Sequence, residues 1–145
     1  MQRVSSARVE VDGEVVGAID AGLLVYLGAG VGDDVASTET MSRKIAGLRV
    51  FEGEDGKMTR SVHDTQGGVL VVPQFTLFGD VRRGRRPSFE KAAAPEVARG
   101  LYEKLIEELR ADGLNVQTGR FRAQMQVHSV VAGPVTILID TTKLF

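Results

Sequence analysis

Residues 69–78 read VLVVPQFTLF, the longest apolar segment of the chain. It follows a Gln66-Gly67-Gly68 turn and predicts a strand. Proline cannot donate to a sheet ladder, so Pro73 places its position on an edge or at a bulge. The strand is therefore expected to break at Pro73, and Thr76 reads most simply as a β-branched strand residue.

The segments around it show how this strand is enclosed. GLLVYLG (22–28) is a short, continuous apolar run that reads as a second buried strand. Upstream, RVSSARVEV puts Val9 and Val11 on one face, then turns at Asp12-Gly13 into EVVGAI, a hairpin signal. Asp33 and Asp34 open a helix carrying Met41, Ile45 and Leu48 at helical spacing. LRVF and KMTRSV, separated by Glu54-Asp55-Gly56, read as further extended segments. Downstream, Ser88 and the alanines after it predict the start of a helical stretch. Pro95 suits the first turn of the main helix, Val97, Leu101, Leu105 and Leu109 form its core stripe, and Gly113 stops it. NVQTGRF, AQMQVHSV and PVTILID return to strand chemistry, with Met125, Val127 and Ser129 on one face and Gln126 and His128 on the other. In VAGPVTILID (131–140), Gly133-Pro134 stands at the mouth of what reads as a buried strand, and the pair shapes backbone rather than presenting side chains. Together these elements predict a single α+β domain over residues 1–145, with a largely antiparallel sheet and two main helices.

At 145 residues and 43% hydrophobic composition, one compact core is expected. No apolar run approaches the ~18 residues of a membrane span, and MQRVSSARVE lacks the apolar centre of a signal peptide, so a cytoplasmic setting without membrane contact is expected. Zero cysteines exclude disulfides, thiolate metal sites and cysteine nucleophiles. A net charge of −1 argues against indiscriminate nucleic-acid binding, and no DNA partner is expected. Locally, however, Arg82, Arg83, Arg85 and Arg86 crowd one loop, either solvated or in contact with phosphates.

A side-chain catalytic centre is not evident. Thr76 is the best hydroxyl candidate, yet neither His63 nor His128 lies near it in sequence to act as a base. Two distant histidines make a metal site improbable, and no phosphate-binding loop of Walker or Rossmann type appears. His63-Asp64, beside a glycine-rich turn, is expected to face solvent.

The residues do, however, resemble the D-aminoacyl-tRNA deacylase family. QRVSSARVEVDGEVVGAI, GLLVYLG, RKIAGLRVF with EDGKM, QFTLF, RRGRRPSF, TGRF, MQV and GPVT occur in the family's order and spacing over nearly the whole chain. The family's two site motifs read here as Pro73-Gln74-Phe75-Thr76-Leu77 and Val131-Ala132-Gly133-Pro134-Val135-Thr136. The resemblance implies a barrel-like core and an editing hydrolase that cleaves the ester of D-aminoacyl-tRNA and of mischarged glycyl-tRNA, with no cofactor and no metal. It implies a homodimer in which Gly133 and Pro134, joined by a cis bond, enter the partner's site and reject L-amino acids by clash. Gln74, Phe75 and Thr76 would form the catalytic segment, with backbone donors for the developing oxyanion and a 2′-hydroxyl of the RNA assisting water. Pro73, Phe121 and Met125 would wall the substrate pocket, although core packing is an equal reading of Phe121 and Met125. Arg3 would brace the Gly-Pro pair, and Arg85 and Arg86 would contact the tRNA backbone.

The chain departs from the family's pattern at Pro73 for serine, Val131 for asparagine and Arg122 for glycine. Two alternatives therefore accompany the main reading: a deacylase of the same fold with relaxed chirality, and a catalytically silent tRNA-binding dimer.

Overall fold

The computed structural model describes residues 1–144. A long strand, β1 (Gln2–Val11), organises the sheet. The Asp12-Gly13 turn carries φ of 50° and 81°, the paired left-handed geometry whose twist matches a tight hairpin, and it leads into β2 (Glu14–Ile19). One edge of β1 is shared. Residues 7–11 pair with β2, and residues 2–4 pair antiparallel with β3 (Gly22–Leu27).

After β3 the chain crosses over through α1 (Val35–Gly47), β4 (Phe51–Glu52), β5 (Met58–Arg60) and the single-turn α2 (Val62–Thr65). It returns as β6 (Gly68–Pro73), parallel to β3. A second crossover through α3 (Pro95–Ala111) ends in β7 (Asn115–Thr118), parallel to β6. Parallel neighbours require connections this long. The last strand, β8 (Gln126–Thr136), pairs antiparallel with the other edge of β1. Sheet order is thus β2-β1-β3-β6-β7, with β8 beside β1. The sheet curls until β2 and β7 nearly close it: a Cβ on Gly17 would lie 2.3 Å from the Thr118 carbonyl oxygen.

Strand alternation divides the apolar residues between two faces. Leu23, Val25, Val69, Val71 and Val116 meet Ile45, Tyr102, Leu105 and Leu109 of the helices. Leu24, Leu70 and Val72 turn the other way, onto Val4, Val9 and Ile19 inside the barrel. This accounts for the unbroken apolar runs of β3 and β6, since both faces of these strands are covered.

Several expectations change in detail. LRVF and KMTRSV shrink to the short strands β4 and β5, because Ser61 caps α2 by accepting from the Asp64 N–H. Residues 88–94 are not helical: Ser88 bridges back to Asp80, and Ala93 donates to the Ala29 carbonyl at 2.9 Å. The residue before a proline is pushed out of helical space, and Ala94, at ψ 145°, is extended, so the helix begins at Pro95. Its buried stripe is Tyr102, Leu105, Ile106 and Leu109, whereas Val97 is 52% exposed. β6 does end at Pro73, but Phe75–Phe78 forms a 3₁₀ turn, which removes Thr76 from any strand. Gly133-Pro134 lies within the final third of β8 and is exposed, not at the entrance to a buried strand. No helix among the described residues is long and apolar enough to cross a membrane.

Candidate active site

β3, β6 and β7 run parallel, so their carboxyl ends and the loops that follow gather at one end of the sheet. Crevices at such ends are where open parallel sheets commonly hold ligands. The Gln74 N–H donates to the Leu27 carbonyl at 2.7 Å, carrying the β3–β6 ladder one residue beyond Pro73. The chain then tightens into the 3₁₀ turn, whose first amides, Phe75 and Thr76, lack an intrahelical acceptor and have no partner among the described residues. The Gln74 side-chain amide donates to the Thr76 hydroxyl. Phe75 is 59% exposed, and its ring meets Phe89 edge-on with centroids 5.0 Å apart.

The neighbouring loop is registered against this one. The Gly119 N–H and the Tyr102 hydroxyl both donate to the Val71 carbonyl, each at 2.9 Å. Gly119 thereby sits beside Pro73, and a Cβ on it would lie 2.8 Å from the Met125 sulfur and 3.4 Å from Pro73 Cδ. Phe121 follows, packed against Tyr102 at 6.0 Å with the Arg99 guanidinium 5.1 Å from its ring centre. Pro73, Gln74, Phe75, Thr76, Phe121 and Met125 therefore converge at one end.

Burial pushes the Tyr102 hydroxyl up to about 12. The folded state thus holds this proton above the pH at which the unfolded chain, at about 10, releases it, so the stabilisation is present below pH ~10 and lost as pH rises toward 12. Urea unfolding should show wild type losing roughly 2 kcal/mol across that window relative to Tyr102→Phe. Parallel alkaline decline of the two proteins would contradict the assignment.

Gly133 and Pro134 are not brought to this cluster within one chain. β8 and β6 are separated by β1 and β3, three strand spacings or about 14 Å across the sheet. The Gly133-Pro134 bond is cis, and Gly133 has φ 122°. Arg3 holds the preceding residue: its Nε donates to the Ala132 carbonyl at 3.2 Å and its Nη1 to the Val50 carbonyl at 2.8 Å, while Glu52 lies 3.6 Å from Nη2. The Arg3 side chain is only 12% exposed, which shields its two carbonyl contacts, whereas Glu52 is 63% exposed and its pairing with Arg3 is screened by solvent.

The arginine loop is closed by reciprocal Asp80 and Ser88 backbone hydrogen bonds at 2.8 and 2.9 Å. Arg82 folds back onto Asp80 and holds that carboxyl far below the usual range. Arg85 and Arg86 project at the tip, exposed and without a carboxylate partner among the described residues. The histidines lie elsewhere. His63 pairs with Asp112 at 2.7 Å, and His128 sits 3.5 Å from Glu10. His128 also borders a depression of about 440 Å³ formed with Ser6, Arg8, Ile19 and Val130, whose walls come from β1, β2 and β8 rather than from the carboxyl ends of the parallel strands. Phe89, Arg99 and Tyr102 were not singled out from the sequence, since each reaches the site by packing across elements and leaves no local spacing to detect.

The fold and this cluster define a candidate ligand site of free backbone donors and aromatic side chains, set at the end of a parallel strand trio. A family model described as D-Tyr-tRNA(Tyr) deacylase matches residues 1–140. The chain is 58% identical over 145 residues to a D-aminoacyl-tRNA deacylase of Symbiobacterium thermophilum, covering 100% of this chain and 96% of that one. It is 57% identical to one from Thermotoga petrophila, covering 100% and 97%. A solved structure of c-Myc DNA Unwinding Element Binding Protein superposes with a TM-score of 0.90 at 44% identity, covering 97% of this chain and 95% of that one. The chain belongs to the D-Tyr-tRNA(Tyr) deacylase family.

Proposed function

We propose that the protein is a D-aminoacyl-tRNA deacylase acting as a homodimer in the cytoplasm, each site built from Gln74–Thr76 of one subunit and Gly133-Pro134 of the other. The observation that carries this reading is that the two backbone motifs lie three strands, about 14 Å, apart in one chain, too far for one copy to set both against the same acyl group. β8 supports it, since among the described residues its outer edge is unpaired and Val130 is 58% exposed, as a surface covered by a second copy would require.

In this reading the unpartnered Phe75 and Thr76 amides receive the carbonyl oxygen of the ester and stabilise the oxyanion as water adds. A 2′-hydroxyl of the terminal ribose assists the water, the acyl C–O bond breaks, and the departing 3′-oxygen takes the proton. Phe75 and Phe89 face the terminal base, while Pro73, Phe121 and Met125 border the acyl side. The partner's Gly133 and Pro134 carbonyls occupy the space that an L side chain needs. A D side chain points away from them, and glycine has none to reject, which makes glycyl-tRNA a substrate.

Purified protein assayed on D-Tyr-tRNA, L-Tyr-tRNA and Gly-tRNA should cleave the first and third only. Cleavage of the L ester as well would favour a relaxed editor, a reading to which Pro73 in place of serine lends weight. Binding without any cleavage would leave a silent tRNA-binding dimer.

A further inference from the structure

Residues 120–123 form a tight turn after β7, closed by the Ala123 N–H donating to the Arg120 carbonyl at 3.2 Å. Its third residue, Arg122, has φ 61°. A turn of this shape takes glycine or asparagine there, because a larger side chain crowds its own backbone. Nothing in the backbone calls for arginine at this place, and the side chain is exposed.

Arg122 is not alone. Arg120, also exposed, flanks Phe121 on the other side, and Arg99 of α3 lays its guanidinium over the same ring. None of the three pairs with a carboxylate among the described residues, whereas Arg8 is held by Glu10 and Arg82 by Asp80. One uncompensated guanidinium thus lies over a half-buried ring at the site end of the sheet, and two more exposed, carboxylate-free arginines flank that ring's residue in the chain. Guanidinium groups match phosphate oxygens in pairs, and stacking against a ring holds the group in place before the anion arrives.

We propose that Arg99, Arg120 and Arg122 form a phosphate-binding rim that takes the sugar-phosphate backbone of the RNA whose aminoacylated end enters at Gln74–Thr76. The inference rests on the deacylase reading and adds to it the side from which the RNA approaches. A cationic edge beside aromatic rings is the usual composition of a surface that tracks a single strand. Because the overall charge is −1, this local cluster, rather than the net field, guides the RNA.

The test is binding of uncharged tRNA across a KCl series. It uses wild type, Arg122→Gly, Arg99→Ala/Arg122→Gly, and Arg43→Ala as a control that removes one charge from α1. The slope of log K against log salt should fall by about one for the single variant and about two for the double, with roughly tenfold weaker binding per contact at low salt. Arg43→Ala should match wild type. Glycine suits the turn at position 122, so the single variant should keep its thermal midpoint, which separates lost binding from lost folding. Unchanged slopes in both rim variants, with tRNA still bound, would overturn the rim while D-Tyr-tRNA hydrolysis by the same preparations would keep the deacylase reading intact. Wild type that neither binds tRNA nor hydrolyses D-Tyr-tRNA would remove both.

Discussion

Gly133→Ala/Pro134→Ala protein should still hydrolyse D-Tyr-tRNA but lose its discrimination against L-Tyr-tRNA by roughly 10²-fold or more, equivalent to about 2.7 kcal/mol of clash energy. At φ 122° residue 133 is in a conformation that side chains rarely adopt. An added Cβ would stand 2.9 Å from Val135 Cγ2 and 3.0 Å from Arg3 Nη2. The segment must shift, and the carbonyls proposed to fill the L side-chain space shift with it. The Gln74–Thr76 turn belongs to other strands and is left in place, which is why the D reaction should survive. The ratio of kcat/KM for the two esters is the measurement. An unchanged ratio would place chiral rejection elsewhere, whereas loss of both activities would show that the pair does more than exclude.

The second large effect concerns folding. Gly22→Ala should abolish the native state: a Cβ at residue 22 would lie 1.9 Å from the Gly68 carbonyl oxygen, 2.7 Å from its nitrogen and 2.8 Å from its carbonyl carbon. All three are backbone atoms, held by the first register pair of β3 and β6, so no side chain can rotate aside. Separating these strands exposes Leu23, Leu24, Val69 and Leu70, each 0% accessible. Burial of such residues contributes about 1.5–3 kcal/mol each, so losing even part of it consumes the 5–15 kcal/mol by which domains are stable. Circular dichroism and a thermal scan would decide the matter, and a cooperative transition near that of wild type would refute the prediction.

Much of this molecule was legible from local pattern. Asp12-Gly13 announced the hairpin, Asp34 the start of α1, Pro95 and Gly113 the ends of α3, and Pro73 the end of β6. Each signal acts through a residue's own backbone or its nearest neighbours. The readings that changed depend on partners. Val97 has helical spacing but no element to cover it, and Ser88 to Ala94 has helical composition but is drawn onto Asp80 and Ala29. Thr76 has a strand propensity that the turn after Pro73 overrides.

By itself the sequence determined most of the elements, the burial of β3 and the order of the family's motifs, because apolar spacing, turn residues and motif order are properties of short stretches of chain. Only the tertiary structure decided where those motifs stand. It set the Gln74–Thr76 turn at the carboxyl ends of three parallel strands, put Gly133-Pro134 three strands away under the hold of Arg3, and drew Arg99 onto Phe121. Strand order and the packing of helices on a sheet arise from contacts between residues far apart in the chain, and these appear only when the core closes.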